Sequence, residues 1–191
     1  MNFPYIRHYQ RYEYVVNSGY VDDRTVVDLG CGVNGVGPFL LTSRAKFVYA
    51  VDSAIDLTKV FGFNDNAHTD RLLVIKGDLF EFEMKVDVAV AIEVIEHMEN
   101  VDRFVSHVAR ICNYAFMTTP LVETTGKTGN PVHVLEYSAE DFDRIVGEKF
   151  EILDKVYQHG DLSITKEAKP CGDSFDSNHV VQMVWARSRN G

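Results

Sequence analysis

The clearest chemistry in this chain is carried by a glycine run and three aspartates. Gly30-Cys31-Gly32-Val33-Asn34-Gly35 follows the pattern G-x-G-x-x-G directly after an apolar run, with Asp28 two residues upstream. Glycines so placed let the backbone turn sharply and approach a ligand closely. Gly37-Pro38-Phe39 puts a proline in the first turn of a following helix, whose start offers free N–H groups. Asp52 ends the next apolar run and can accept two hydrogen bonds from a ribose diol. Asp28, set against the glycine turn, would repel a pyrophosphate and suits a phosphate-free nucleoside cofactor that carries positive charge. Taken singly, Asp28 and Asp52 serve equally well as helix caps and Asp78 as a turn residue; their joint placement after three successive apolar runs points to a ligand. Further on, Glu93, Glu96 and His97 stand at i, i+3 and i+4, one face of a helix if the segment is helical. Carboxylates and imidazole together can move a proton.

The elements that must position these groups follow from the pattern of apolar residues. Four runs, Thr25–Leu29, Phe47–Val51, Leu72–Ile75 and Val86–Ala91, read as buried strands. Val101, Phe104, Val105, Val108 and Ile111 recur at helical spacing. A fifth strand is expected at Tyr114–Met117, a loop over Thr118–Pro131, and a helix capped by Ser138 that buries Phe142, Ile145 and Val146 and ends near Phe150. Strands over about Glu151–Tyr157 and Val180–Ala186 would form an antiparallel hairpin at the sheet edge, separated by a long insertion from Gly160 to Asn178. Alternating strands and helices predict one α/β domain over residues 1–191: a doubly wound, Rossmann-like, seven-stranded, mostly parallel sheet with that antiparallel edge hairpin. In such a sheet Asp28 and Asp52 end adjacent strands, beside the crevice where ligands bind.

With 46% hydrophobic and 12% aromatic residues the chain can bury one substantial core. Nineteen basic against twenty-eight acidic residues leave a net charge of −9, which opposes binding to nucleic acid. Cys31, Cys112 and Cys171 are far apart and form no C-x-x-C pair, so a disulfide framework or zinc cluster is not expected. The opening residues MNFPYIRHYQ lack the apolar core of a signal peptide, and no run is long enough to span a membrane. A cytoplasmic protein is the expectation; oligomeric state is left open.

Val27-Asp28-Leu29-Gly30-Cys31-Gly32 resembles the first motif of class I S-adenosylmethionine-dependent methyltransferases. Ala50-Val51-Asp52 resembles their second acidic strand end, and Gly77-Asp78-Leu79 the element after the third strand. The stretch Ala91-Ile92-Glu93-Val94-Ile95-Glu96-His97-Met98-Glu99 resembles the one that follows the fourth strand in the ubiquinone-biosynthesis O-methyltransferase group and in small-RNA 3′-terminal 2′-O-methyltransferases. The resemblance runs from Arg11 to about Phe150. It implies S-adenosylmethionine as cofactor, held by Asp28, Gly30, Cys31, Gly32, Asp52, Ser53, Asp78 and Leu79, with Asp78 meeting the adenine amino group and Ile92 and Glu93 beside the adenosine. Arg11 resembles an N-terminal arginine that some relatives aim at the methionine carboxylate, although a solvated helix charge accounts for it equally well.

The RNA-modifying group further implies a divalent ion, Mg²⁺ or Mn²⁺, on Glu93, Glu96, His97 and His133, where it would hold acceptor hydroxyls and lower their pKa. The alternative is acid–base catalysis by His97 or His133, with Glu93 and Glu96 beside them. The chain lacks that group's richer histidine and aromatic string around His133 and its basic extension. The expected acceptor is therefore a small molecule with an oxygen or nitrogen nucleophile, and a metal-dependent RNA 2′-O-methyltransferase is the alternative. His179 and Cys171 would line the acceptor pocket if the long insertion folds over it. Two other classes compete. A nicotinamide-dependent oxidoreductase leaves Asp28 and Asp78 unexplained and would need a Tyr-x-x-x-Lys or comparable pair that is absent; a non-catalytic cofactor-binding protein leaves Glu93, Glu96, His97 and His133 unused.

Overall fold

β-Branched and apolar residues that follow one another without alternation need burial on both faces, and the chain folds accordingly. The structure, a computed structural model, describes residues 6–33, 35–56, 69–127, 129–169 and 180–190, in two compact units, Met1–Ile92 and Glu93–Gly191.

In the first unit, helix α1 (Ile6–Asn17) precedes strand β1 (Thr25–Leu29), helix α2 (Val36–Thr42), and strands β2 (Phe47–Asp52), β3 (Leu72–Lys76) and β4 (Val86–Ile92). The strands lie in the order β3-β2-β1-β4, all parallel. Val26, Val27 and Leu29 of β1 and Val88, Val90 and Ala91 of β4 are buried, as expected of inner strands. The expectation of a buried third strand needs correction: β3 is the last strand on its side, and Leu73 is 48% exposed. Register sets Asp28 opposite Ala50 and Asp52 opposite Lys76, so the two aspartates end neighbouring strands.

The second unit contains helix α3 (Val101–Ile111), strand β5 (Cys112–Pro120), helix α4 (Ala139–Gly147), and strands β6 (Phe150–His159), β7 (Ile164–Thr165) and β8 (Val180–Ser188). Asn100 caps α3 by accepting from the Arg103 N–H, and Ser138 caps α4 by accepting from that of Asp141. The strand order is β5-β8-β6-β7, antiparallel throughout. Eight strands are present among the described residues, one more than expected. The addition is the two-residue β7, in the segment read as a long insertion between two strands. The antiparallel pair of the last two long strands forms, but β8 lies inside it. Its residues Val180 to Ala186 are all buried, so both faces must be covered, and it pairs with β5 and β6 at once. β5 extends through Thr118 and Thr119, residues expected in the loop. α4 stops at Gly147, and Phe150 opens β6.

Cys31 and Cys112 are buried thiols, and among the described residues no helix is long and apolar enough to cross a membrane. Asn34, Cys171 and His179 lie outside the described residues.

Candidate functional site

The glycine turn after β1 is shaped by its backbone. Gly30 and Gly32 have φ of 75° and 77°, the left-handed region that disfavours side chains. The Gly30 N–H donates to the Val51 carbonyl at 2.8 Å and that of Gly32 to Asp52 Oδ2 at 2.9 Å, which ties the turn to the end of β2. Asp52 Oδ1 accepts from the Ala54 N–H at 2.7 Å. Each carboxylate oxygen retains a further lone pair for a diol. Among the described residues a β-carbon on Gly32 would meet nothing within 4 Å. Ser53 beside Asp52 is exposed.

Asp28 is fully buried. Its Oδ2 accepts from the Tyr12 hydroxyl at 2.8 Å, while Oδ1 has no hydrogen-bond partner among the described residues. Burial pushes the Asp28 carboxyl up to about 7; the Tyr12 hydrogen bond works against that rise, and the charge of Asp52 adds to it. Burial likewise pushes the Tyr12 hydroxyl and the Cys31 thiol up, both towards the neutral form. Arg11 is only 2% exposed, which rules out its reading as a solvated helix charge. Asp78 is exposed and caps the 3-10 turn Leu79–Glu81, its Oδ1 accepting from the Phe80 N–H at 2.9 Å. A buried carboxylate oxygen without a partner among the described residues, a diol acceptor on the next strand and a left-handed glycine turn between them fit a cationic nucleoside cofactor.

The residues after β4 do not form the helix on which a shared face of Glu93, Glu96 and His97 depends. Glu93 has φ of 57°, a left-handed conformation that costs on the order of 1 kcal/mol for a residue with a side chain. Thr118 of β5 stabilises it twice: its Oγ1 accepts from the Glu93 N–H at 3.0 Å, and its hydroxyl donates to Glu93 Oε1 at 3.2 Å. A 3-10 turn follows at Ile95–His97. Glu93, Glu96 and His97 therefore do not share a helical face, and Glu93 is not part of the cluster that forms.

That cluster contains Glu96, His97 and His133, one ligand atom from each lying within 4.8 Å of the others. The backbone assembles it. The Glu96 carbonyl accepts from the N–H groups of Val134 at 2.8 Å and Leu135 at 3.3 Å, and bridges Leu121–Tyr137 and Gly126–Glu136 fix the following residues. The His97 and His133 rings meet edge to face, centroids 4.9 Å apart. His97 Nδ1 lies 2.9 Å from the Val132 carbonyl, which can only accept, so Nδ1 carries a proton and Nε2 is left as the basic nitrogen. His133 Nδ1 lies 2.5 Å from Oε1 of the buried Glu136, and its Nε2 faces the Asn130 side-chain amide at 3.0 Å. Glu96 is fully buried, His133 half-buried and His97 exposed. Tyr12, Thr118, Asn130 and Glu136 were not found by sequence reasoning. The i, i+3 spacing of His133 and Glu136 was the available signal for one of them; nothing local links Tyr12 to Asp28 or Thr118 to Glu93.

A glycine turn between two strand-ending aspartates on a parallel sheet defines a nucleoside-cofactor domain of the doubly wound class. The sequence profile of the methyltransferase domain matches residues 17–162, and the chain belongs to that family. No curated protein matches it by sequence. Its fold is shared by solved methyltransferases. Magnesium protoporphyrin IX methyltransferase from Synechocystis PCC 6803, with bound S-adenosylmethionine, superposes with a TM-score of 0.70 at 17% identity over 98% of this chain and 85% of that one. The N-methyltransferase NodS from Bradyrhizobium japonicum WM9, in complex with S-adenosylhomocysteine, gives 0.69 at 12% identity over 96% and 88%. The chain is thus a methyltransferase with a Rossmann-like fold.

Proposed function

We propose that the chain transfers the methyl group of S-adenosylmethionine to an oxygen or nitrogen of a small-molecule acceptor. The observation that carries this reading is the buried Asp28 carboxylate, whose Oδ1 is without a partner among the described residues beside a glycine turn. A phosphate would be repelled there; the ammonium group of a methionine moiety would be paired. Asp52 takes the ribose diol, Asp78 the adenine amino group with Leu79 beside it, the backbone of Ile92 and Glu93 the adenosine, and Arg11 the methionine carboxylate. When bound, the cofactor supplies an electrophilic methyl on a sulfonium leaving group, so the protein's remaining task is to orient the acceptor and remove its proton. His97 is the stronger candidate base. Its Nδ1–H is committed to the Val132 carbonyl, which leaves Nε2 to take a proton at an exposed position. His133, oriented by Glu136, is the second.

A specific observation favours a second role for the same cluster. Both imidazoles give Nδ1 to an oxygen acceptor, the arrangement that orients metal-bound histidines, and Glu96 adds a carboxylate within reach. The donor set of one carboxylate and two imidazoles fits Mn²⁺ better than Mg²⁺. Glu93 is not in this set.

Calorimetric titration of the purified protein with S-adenosylmethionine and with NAD, each with and without Mn²⁺, tests both readings. The expected result is binding of S-adenosylmethionine alone, weakened by Asp52→Ala. Binding of NAD in its place would overturn the cofactor assignment. Mn²⁺ binding lost in His133→Ala would support the metal role, and absence of Mn²⁺ binding would reduce the cluster to acid–base chemistry.

A further inference from the structure

Tyr12 is unused by the roles above, yet its surroundings are unusually specific. Its ring packs where α2 runs past α1 at Gly37, so closely that a β-carbon on residue 37 would fall 2.0 Å from the ring Cζ. The ring's seat is therefore set by backbone, and from it the hydroxyl reaches Asp28 Oδ2 at 2.8 Å. Tyr12 and Asp28 are both fully or nearly fully buried. Among the described residues, the titratable groups that face this pair are Arg11 from α1, Cys31 from the glycine turn and Asp52 from β2. Tyr12 and Cys31 stay neutral, and the charge of Asp52 opposes ionisation of Asp28. An ionised Asp28 thus has one hydroxyl donor on one oxygen and, among the described residues, none on the other, a state that desolvation disfavours until a cation arrives.

We propose that Tyr12 is a positioning residue for cofactor binding: it holds Asp28 with Oδ1 turned free for the cofactor's ammonium group, and Asp28 releases its proton to solvent as that group arrives. The inference rests on the S-adenosylmethionine reading. The ammonium keeps its own protons; the O–H bond of the Asp28 carboxyl is the one that breaks, and the buffer takes the proton. Because Asp28 ionises at about 7, the free protein near that pH is half protonated at this site, and binding should release about half a proton per cofactor. The release should fall towards zero about two pH units higher.

The test is calorimetry of the full-length protein with S-adenosylhomocysteine in phosphate and in Tris at matched pH, whose different ionisation heats count the protons released. Methylthioadenosine, which lacks the amino-acid arm, should release none. Tyr12→Phe keeps the ring and removes the donor, so the ionisation of Asp28 moves up. Proton release at neutral pH should then rise towards about one, and affinity should fall by about tenfold there and recover at high pH. Gly37→Ala displaces the ring from the other side and should shift release in the same direction. Binding whose heat is the same in both buffers would overturn the proposal and leave the cofactor assignment standing, as would an affinity loss in Tyr12→Phe that is equal at every pH. Failure of the wild-type protein to bind S-adenosylhomocysteine would overturn the cofactor assignment and this proposal with it.

Discussion

Replacing Asp28 by asparagine should stabilise the cofactor-free protein, by an amount that depends on pH. Burial raises this carboxyl from the ordinary 3.8 to about 7. A raised carboxyl favours the folded state in its protonated form. That stability is fully present below the unfolded value of 3.8 and is lost as pH rises through about 7. A shift of about 3 pH units at ~1.4 kcal/mol each comes to ~4 kcal/mol, a large share of a typical folding free energy. The asparagine side chain would keep the shape, could still accept from Tyr12, and would never ionise. Its buried amide would lack an acceptor at a cost of ~1 kcal/mol, but that cost is the same at every pH. Thermal melting of wild type and Asp28→Asn without cofactor, from about pH 4.5 to 8.5, is the assay. The advantage of the variant over wild type should grow by ~1.4 kcal/mol per pH unit up to about pH 7 and then level off, with a total change in melting temperature on the order of 10 °C. Comparing two proteins that differ at one site cancels the titration of the other groups. A difference between them that does not vary with pH would refute the reasoning, because the Asp28 carboxyl would then titrate alike in the folded and unfolded chain.

Two further outcomes follow from the second unit. Thr118→Val preserves the shape of a fully buried residue and deletes both hydrogen bonds that hold Glu93 in its left-handed conformation, so denaturant unfolding should show a loss of about 1–3 kcal/mol; an unchanged midpoint would mean that Thr118 does not support Glu93. Glu136→Ala should free the His133 ring to populate both tautomers, with a stability loss of about 2 kcal/mol, and ¹⁵N-resolved histidine spectra of the wild type should show the Nδ1–H form that faces Glu136. Finding the proton on His133 Nε2 in the wild-type protein would sink the arrangement described for the cluster.

The doubly wound half of the molecule was legible because its strands announce themselves. Thr25–Leu29 and Val86–Ile92 are unbroken apolar runs, and such runs must be buried on both faces wherever they pack. The glycine turn was legible for a related reason: φ near +75° at Gly30 and Gly32 is a local demand that only glycine meets cheaply. The placing of Asp28 and Asp52 at neighbouring strand ends followed from the topology these runs impose. β8 reads equally well in sequence as an edge or an inner strand, and only its pairing with β5 and β6 together decided between them. The span from Glu93 to His97 has helical spacing, yet a single left-handed residue turned Glu93 out of the set, and it does so because Thr118, 25 positions away, accepts its N–H. Of the four residues read together in sequence, the fold therefore gathers Glu96, His97 and His133 and leaves Glu93 outside the group.

Residue types and local conformational demands, the glycines, the aspartates and the strand runs, were determined by the sequence itself, because their physics is settled within a few bonds of each residue. The hydrogen bond from Tyr12 to Asp28, the ring seated on Gly37 and the Glu136 carboxylate behind His133 were decided by tertiary structure alone. The ionisation of Asp28 belongs with them, since desolvation and the reach of a hydroxyl 16 residues away exist only once the chain has packed.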